Sequence, residues 1–216
     1  MLMRSRLFGV LIASALVVSG CARQAMTRQD FESAKLPISV AWLKTRDLRT
    51  PTVAGLVLRM LGGIGTAPIG AYLDEKSAEK MKKEIVVPDM GFEVASRFMS
   101  IWREKGAAPE MVLLQAPIEK DHRFPGASIV FEIIEQFYIG VDGQLVATCR
   151  ITMKDNSGKT IHKNLEWFNG FSLDRKRRSL DEFKADNGKL LVEEMKFASQ
   201  YIADKFVKEI LVDLSK

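Results

Sequence analysis

Histidine and cysteine are scarce in this chain, with two of each among 216 residues. A metal centre needs several imidazole or thiolate ligands close together. His122 and His162 lie far apart and no cysteine pair accompanies them, so neither a metal site nor a cofactor is predicted. No Gly-x-Ser-x-Gly elbow is present for a serine nucleophile. The glycine run Gly62-Gly63-Ile64-Gly65 is not followed by Gly-Lys-Ser/Thr, which excludes a phosphate loop there. Charge of one sign is lacking too: 32 Lys and Arg against 27 Asp and Glu leave +5. That argues against a nucleic-acid partner. Internal repeats and low-complexity tracts are also missing.

What is present is ordinary globular composition, 47% hydrophobic and 27% charged, which suits one domain with a proper core. The front of the chain differs. Arg4 and Arg6 precede an apolar segment from Leu7 to Val18. That segment is long enough for export machinery and short for a bilayer span. It runs into Val18-Ser19-Gly20-Cys21.

This ending resembles the lipobox of bacterial lipoproteins: an aliphatic residue, two small residues, then cysteine. The resemblance implies that residues 1–20 are a signal peptide. It also implies that the Cys21 sulfur carries a diacylglyceryl group and that the chain is anchored in the cell envelope. In such proteins an aspartate after the cysteine commonly retains the chain in the inner membrane; Ala22 stands there, implying the outer membrane, with the domain facing the periplasm. Loss of Arg4 and Arg6 would lower the formal charge from +5 to about +3. With Cys21 acylated, Cys149 has no disulfide partner and is expected to be a buried thiol.

Residues 21–36 are polar and aperiodic and read as a lipidated tether. Residues 37–216 read as one α+β domain. Residues 37–44 alternate as a first strand. Residues 53–73 form an apolar, glycine-rich insertion broken by Arg59 and Pro68, and residues 74–85 a charged helix. Asp89 is a candidate cap for a helix whose inner face is Phe92, Ala95, Met99 and Trp102. The wholly apolar Met111–Leu114 reads as an interior strand.

A long strand over 128–139 places Ile129, Phe131, Ile133, Phe137 and Ile139 on one face. In that phase Glu132 and Glu135 point to opposite faces. Asp142-Gly143 signals a hairpin. The next strand turns Leu145, Ala147, Cys149, Ile151 and Met153 inward. After Asn156-Ser157-Gly158, a third strand is expected to bury Ile161, Leu165 and Trp167 and to wet His162, Asn164 and Glu166. Residues 185–214 read as one amphipathic helix with a stripe of Leu191, Met195, Ala198, Ile202, Phe206, Ile210 and Leu214. One apolar face per strand calls for a two-layer sandwich: a mixed, mainly antiparallel sheet covered on one face by helices.

This order of elements is similar to that of several small envelope lipoproteins. They are the ABC-transporter auxiliary lipoproteins, the curli-secretion lipoprotein and the amino-terminal domain of the Tol-system periplasmic protein. The likeness runs through PISVAWL, the helix GFEVASRFMSIWREKG with its strand MVLL, the long hairpin and the closing helix. It implies a non-enzymatic accessory or structural part in export, lipid transport or envelope assembly. The implied partners are the bilayer, through acylated Cys21, and an envelope protein.

Two further contact elements stand out. Gly62, Gly63 and Gly65 lie among small residues four apart, as close helix packing prefers. They read as a packed loop or as a membrane-contacting, self-associating segment of an oligomeric pore. Arg175-Lys176-Arg177-Arg178 reads as a solvated loop or as a contact for anionic headgroups or an acidic partner. An envelope hydrolase using His122 or His162 is the remaining alternative.

Overall fold

The computed structural model describes residues 23–34, 37–44, 87–105, 110–139, 144–170, 173, 178–179, 182–183 and 185–215. The elements are α1 (Arg28–Ser33), β1 (Ile38–Trp42), α2 (Met90–Glu104), β2 (Met111–Leu113), β3 (Ser128–Ile139), β4 (Gln144–Lys154), β5 (Thr160–Asn169), a 3-10 turn (Ala185–Gly188) and α3 (Lys189–Leu214). The glycine-rich insertion at 53–73, the helix expected at 74–85 and the Asp142-Gly143 turn lie outside the described residues.

The strands form one five-stranded sheet in the order β2-β1-β3-β4-β5. The long neighbours β3, β4 and β5 are antiparallel. The short β1 lies parallel to both β2 and β3. The sheet is therefore mixed, and α2 lies between β1 and β2 in the chain, as a parallel pair requires a crossover. The architecture is α+β, with helices over one sheet face. Met111–Leu113 is not interior: β2 is an edge strand, and Val112 is exposed. A short apolar run does not distinguish the two cases, because an edge strand still buries Met111.

Asp89 explains where α2 begins. Its Oδ1 accepts hydrogen bonds from Gly91 N (3.0 Å) and Phe92 N (3.3 Å), satisfying two otherwise unpaired helix donors. Its Oδ2 accepts from Trp42 Nε1 at 3.0 Å. One carboxylate thus caps the helix and ties it to β1. The buried face of α2 includes Val94, Ala95, Phe98, Met99 and Trp102. Phe92 is largely exposed and rests edge-on against Trp42 at 5.1 Å. Phe98 takes the core place expected of Phe92.

The core is aromatic where the layers meet. Phe98 stacks on Trp102 at 5.7 Å and meets Phe131 of β3 edge-on at 5.2 Å. Phe131 in turn packs on Phe206 of α3 at 6.0 Å. Helix α3 buries Leu191, Met195, Ala198, Ile202, Phe206 and Ile210, the expected stripe, with Leu214 partly buried. It begins at Lys189 rather than 185. Asp186, Asn187 and Gly188 have φ of 51°, 56° and 80°, and a left-handed run interrupts the helix before it starts.

Two irregularities reset which side chains face the helices. In β3 the register shifts between Ile133 and Glu135, so one extra residue opposes β4. Ile133 pairs with Cys149 on the helix side, but Glu135 pairs with Thr148 and Phe137 with Val146. The backbone register at 137 and 139 therefore no longer continues the Ile129–Phe131–Ile133 face. Gln136, opposite Ala147, does, and it is buried. Glu132 is on the outer face, where Arg150 reaches it, and the side chain of Glu135 lies outside what is described.

The second shift, between Met153 and Lys154, pairs Met153 with His162, Ile151 with Asn164 and Cys149 with Glu166. His162, Asn164, Glu166 and Phe168 face the helices, and Trp167 faces out. Ile161 is buried as expected, but from His162 onward the expected phase of this strand is reversed. The turn before it matches expectation: Asp155 Oδ1 accepts from Ser157 N and Lys159 N, and Gly158 supplies φ of 82°.

Residues 23–34 belong to the domain rather than to a free tether. Gln24 bridges Lys163 of β5, Met26 and Ala34 are buried, and α1 starts with a capping box between Thr27 and Asp30. The composition is polar because one side of this segment is wet. Met26, Ala34 and the partly buried Phe31, which meets Trp102 at 5.9 Å, dock the other.

Truncating a large buried aromatic leaves a cavity that the surroundings fill only partly. Phe131→Ala is expected to lower unfolding free energy by about 3–5 kcal/mol, measured by urea denaturation. A loss below about 1 kcal/mol would mean that the Phe98–Phe131–Phe206 contact is not the centre of the core.

Candidate functional site

The reversed phase of β5 brings polar side chains together beneath α3. From β5 come His162, Asn164 and Glu166; from α3 come Lys205, Glu209 and Asp213. The helix residues recur every four positions and so share one face, matching the every-second spacing on the strand. Asn164 Nδ2 donates to Glu209 Oε2. Lys205 Nζ lies 4.0 Å from Glu166 Oε2. Arg23 Nη2 donates to Asp213 Oδ1 at 2.7 Å. Above this seam, Phe168 packs edge-on against Phe197 and Tyr201 at 6.0 and 5.7 Å.

Burial, followed by a hydrogen bond to the Glu209 carboxyl and that group's charge, pushes Glu166 up to about 7; Lys205 opposes the rise. Two carboxyls in contact hold a proton more readily than one alone. His162 is fully buried, and neither ring nitrogen makes a well-formed hydrogen bond. Burial lowers its pKa; Asp213 and Glu209 favour the cation, and Arg23 opposes it. The seam thus favours the protonated form of the Glu166 carboxyl and the neutral form of the His162 ring. His162 is sealed from solvent, and the arrangement binds the helix to the edge strand.

His122 is exposed in the loop before β3. It meets Phe124 edge-on at 4.7 Å, and its backbone N–H donates to Glu119 O at 3.1 Å, a turn role. Cys149 is a buried free thiol, and burial drives its pKa far above the ordinary range. It is inert as a nucleophile. On the outer face Arg150 donates to Glu132 at 2.8 Å.

Val18, Ser19, Gly20, Cys21, Gly62, Gly63, Gly65, Arg175, Lys176 and Arg177 lie outside the described residues. Arg178 is described and half-buried. It is not free. Among the described residues, no group of three or more His, Cys, Asp or Glu side chains is arranged to hold a metal ion. Among them too, no helix is long and apolar enough to cross a membrane.

Sequence reasoning placed the seam residues in water because β5 alternates polar and apolar side chains, and both phases look amphipathic. A usable signal was the stripe Lys205, Glu209 and Asp213 on the closing helix. A charged stripe bordering an apolar one requires polar company on the strand below it.

The fold and seam define a two-layer α+β domain with a polar helix–edge-strand contact. The chain matches no protein-family model, and no curated protein matches it. Similar solved structures include a PelC dodecamer from Paraburkholderia phytofirmans. It shows 13% identity over 87% of this chain and 91% of that one, with a TM-score of 0.39. The hypothetical protein CT253 from Chlamydia trachomatis shows 11% identity over 81% and 96%, with a TM-score of 0.34. Lipoprotein GNA1162 from Neisseria meningitidis shows 11% identity over 80% and 99%, with a TM-score of 0.22. Likeness at this level transfers neither residues nor role.

An acid whose folded pKa is raised stabilises the fold below its ordinary value and loses that contribution as pH climbs. For Glu166 the window runs from 4.5 to about 7. His162, lowered from 6.5, acts in the opposite sense and loses its contribution as pH falls. Glu166→Gln removes only the first slope. Its stability relative to wild type should therefore rise by about 1–2 kcal/mol between pH 4.5 and 7.5, read from denaturation midpoints across that range. A difference that stays flat with pH would show that Glu166 ionises freely.

Proposed function

We propose that this protein is a membrane-anchored envelope lipoprotein. It serves as a non-catalytic accessory or structural component of an export, lipid-transport or envelope-assembly system. The observation that carries the reading is the sequence Val18-Ser19-Gly20-Cys21, placed behind Arg4, Arg6 and the apolar Leu7–Val18 segment. Basic start, apolar length and small residues before the cysteine agree with one another. The cysteine sulfur is the atom suited to accept a diacylglyceryl group, and two or three acyl chains hold a domain firmly at about 0.8 kcal/mol per buried methylene. Ala22 at the next position favours the outer membrane.

The non-catalytic part draws support from where the described chain puts its chemistry. The Cys149 thiol and the His162 ring are sealed in the interior, and His122 is spent on a turn and a ring contact. The candidate interaction surfaces are the outer sheet face and the basic run Arg175-Lys176-Arg177-Arg178.

Radiolabelled palmitate should enter the wild-type chain and be absent from Cys21→Ala. That variant should also leave the membrane fraction. Recovery of the full-length wild-type chain from the cytosol, with a free thiol at Cys21 and no fatty acid, would overturn the proposal.

A further inference from the structure

The three tryptophans of this chain have very different surroundings. Trp42 and Trp102 are 3% and 2% exposed, whereas Trp167 is 59% exposed. It is the most open large apolar side chain among the described residues. Trp167 stands on β5, an edge of the sheet, opposite Thr148 on the outer face. Leu165 and Lys163 precede it at every second position, so the three share that face. An indole with an apolar body and a polar N–H suits the headgroup level of a bilayer. A neighbouring lysine suits anionic headgroups.

The start of the described chain is clamped to the same strand. Gln24 N donates to Lys163 O at 2.9 Å, and Lys163 N donates to Gln24 O at 3.2 Å. Gln24 Nε2 donates to Thr160 O at 2.8 Å. Arg23 is tied to the buried carboxylate of Asp213. Cys21 precedes Gln24 by three residues, so the covalent chain holds its Cα within about 11 Å of Gln24. The bridge is antiparallel. The chain direction from Gln24 to Arg23 therefore points toward the Leu165–Trp167 end of β5. Trp167 lies four residues beyond Lys163, about 13 Å along the strand. Anchor and exposed indole are thus kept on one side of the domain.

We propose that the outer side of the β5 edge is the surface this domain turns to the bilayer. Trp167 is seated among phospholipid headgroups and Lys163 lies beside them. The proposal rests on acylation of Cys21. It adds that the anchor holds the domain close and in one orientation, because the strap at Arg23–Met26 removes the slack a tether would provide.

Tryptophan fluorescence tests this directly, since the other two rings are buried. Acylated protein beginning at Cys21 is reconstituted on vesicles of phosphatidylethanolamine and phosphatidylglycerol, with and without phospholipid brominated near the headgroup end of its chains. Flotation reports anchoring, and quenching reports contact. The protein should float, and brominated lipid should quench the Trp167 emission. That component, about a third of the total if the rings emit alike, should vanish in Trp167→Phe, with circular dichroism unchanged. Floating protein with unquenched Trp167 would overturn the orientation while leaving the anchor intact. Protein that does not float would remove the anchor reading, and this inference with it.

Discussion

Burial of a single sheet face beneath α2 and α3 is the constraint on which the rest of the structure depends. The strands present Ile129, Phe131, Cys149, Ile151 and Met153 to the helices, and all are buried. The aromatic chain from Trp102 through Phe98 and Phe131 to Phe206 joins both helices to the sheet centre. Burying each such ring contributes on the order of 1.5–3 kcal/mol, which is large against the total stability of a domain. Once that layer closes, each strand has a dry side and a wet side, and a one-residue shift exchanges them.

Both register shifts in this sheet make that exchange. At Ile133/Glu135 the bulge sends the end of β3 into the other phase, and Gln136 takes an interior place. At Met153/Lys154 the shift turns His162, Asn164 and Glu166 toward α3. Polar groups inside are tolerated only when they are paired. Here α3 supplies partners for two of the three, Glu209 for Asn164 and Glu166 with Lys205 at the margin, and His162 is accommodated as a buried ring without a well-formed hydrogen bond. The seam is a polar contact that the edge strand can accept because its outer border is near water. A central strand such as β4 has no such border and buries Ala147, Cys149 and Ile151.

The N-terminal strap belongs to the same edge. An exposed strand edge presents unpaired backbone groups that invite pairing with another chain. Gln24 satisfies part of that edge at Lys163, and Arg23 neutralises Asp213. A segment with the composition of a linker thus becomes a structural element, since its value lies in backbone hydrogen bonds that composition does not report.

Much was legible in the residues themselves. The phase of β4, the boundaries of β3, the Asp89 cap, the Gly158 turn and the buried stripe of α3 follow from local periodicity and turn chemistry, which act over a few neighbours. The proposed export signal, with Cys21 at its end, is likewise read from local pattern. The facing of β5, the edge position of β2, the docking of residues 23–34 and the meeting of Glu166 with Glu209 were decided only by the tertiary structure. Each depends on what lies across a layer or a ladder, at sequence separations where the chain carries no periodic signal. For a strand such as Thr160–Asn169, amphipathic in either phase, the partner helix chooses the side.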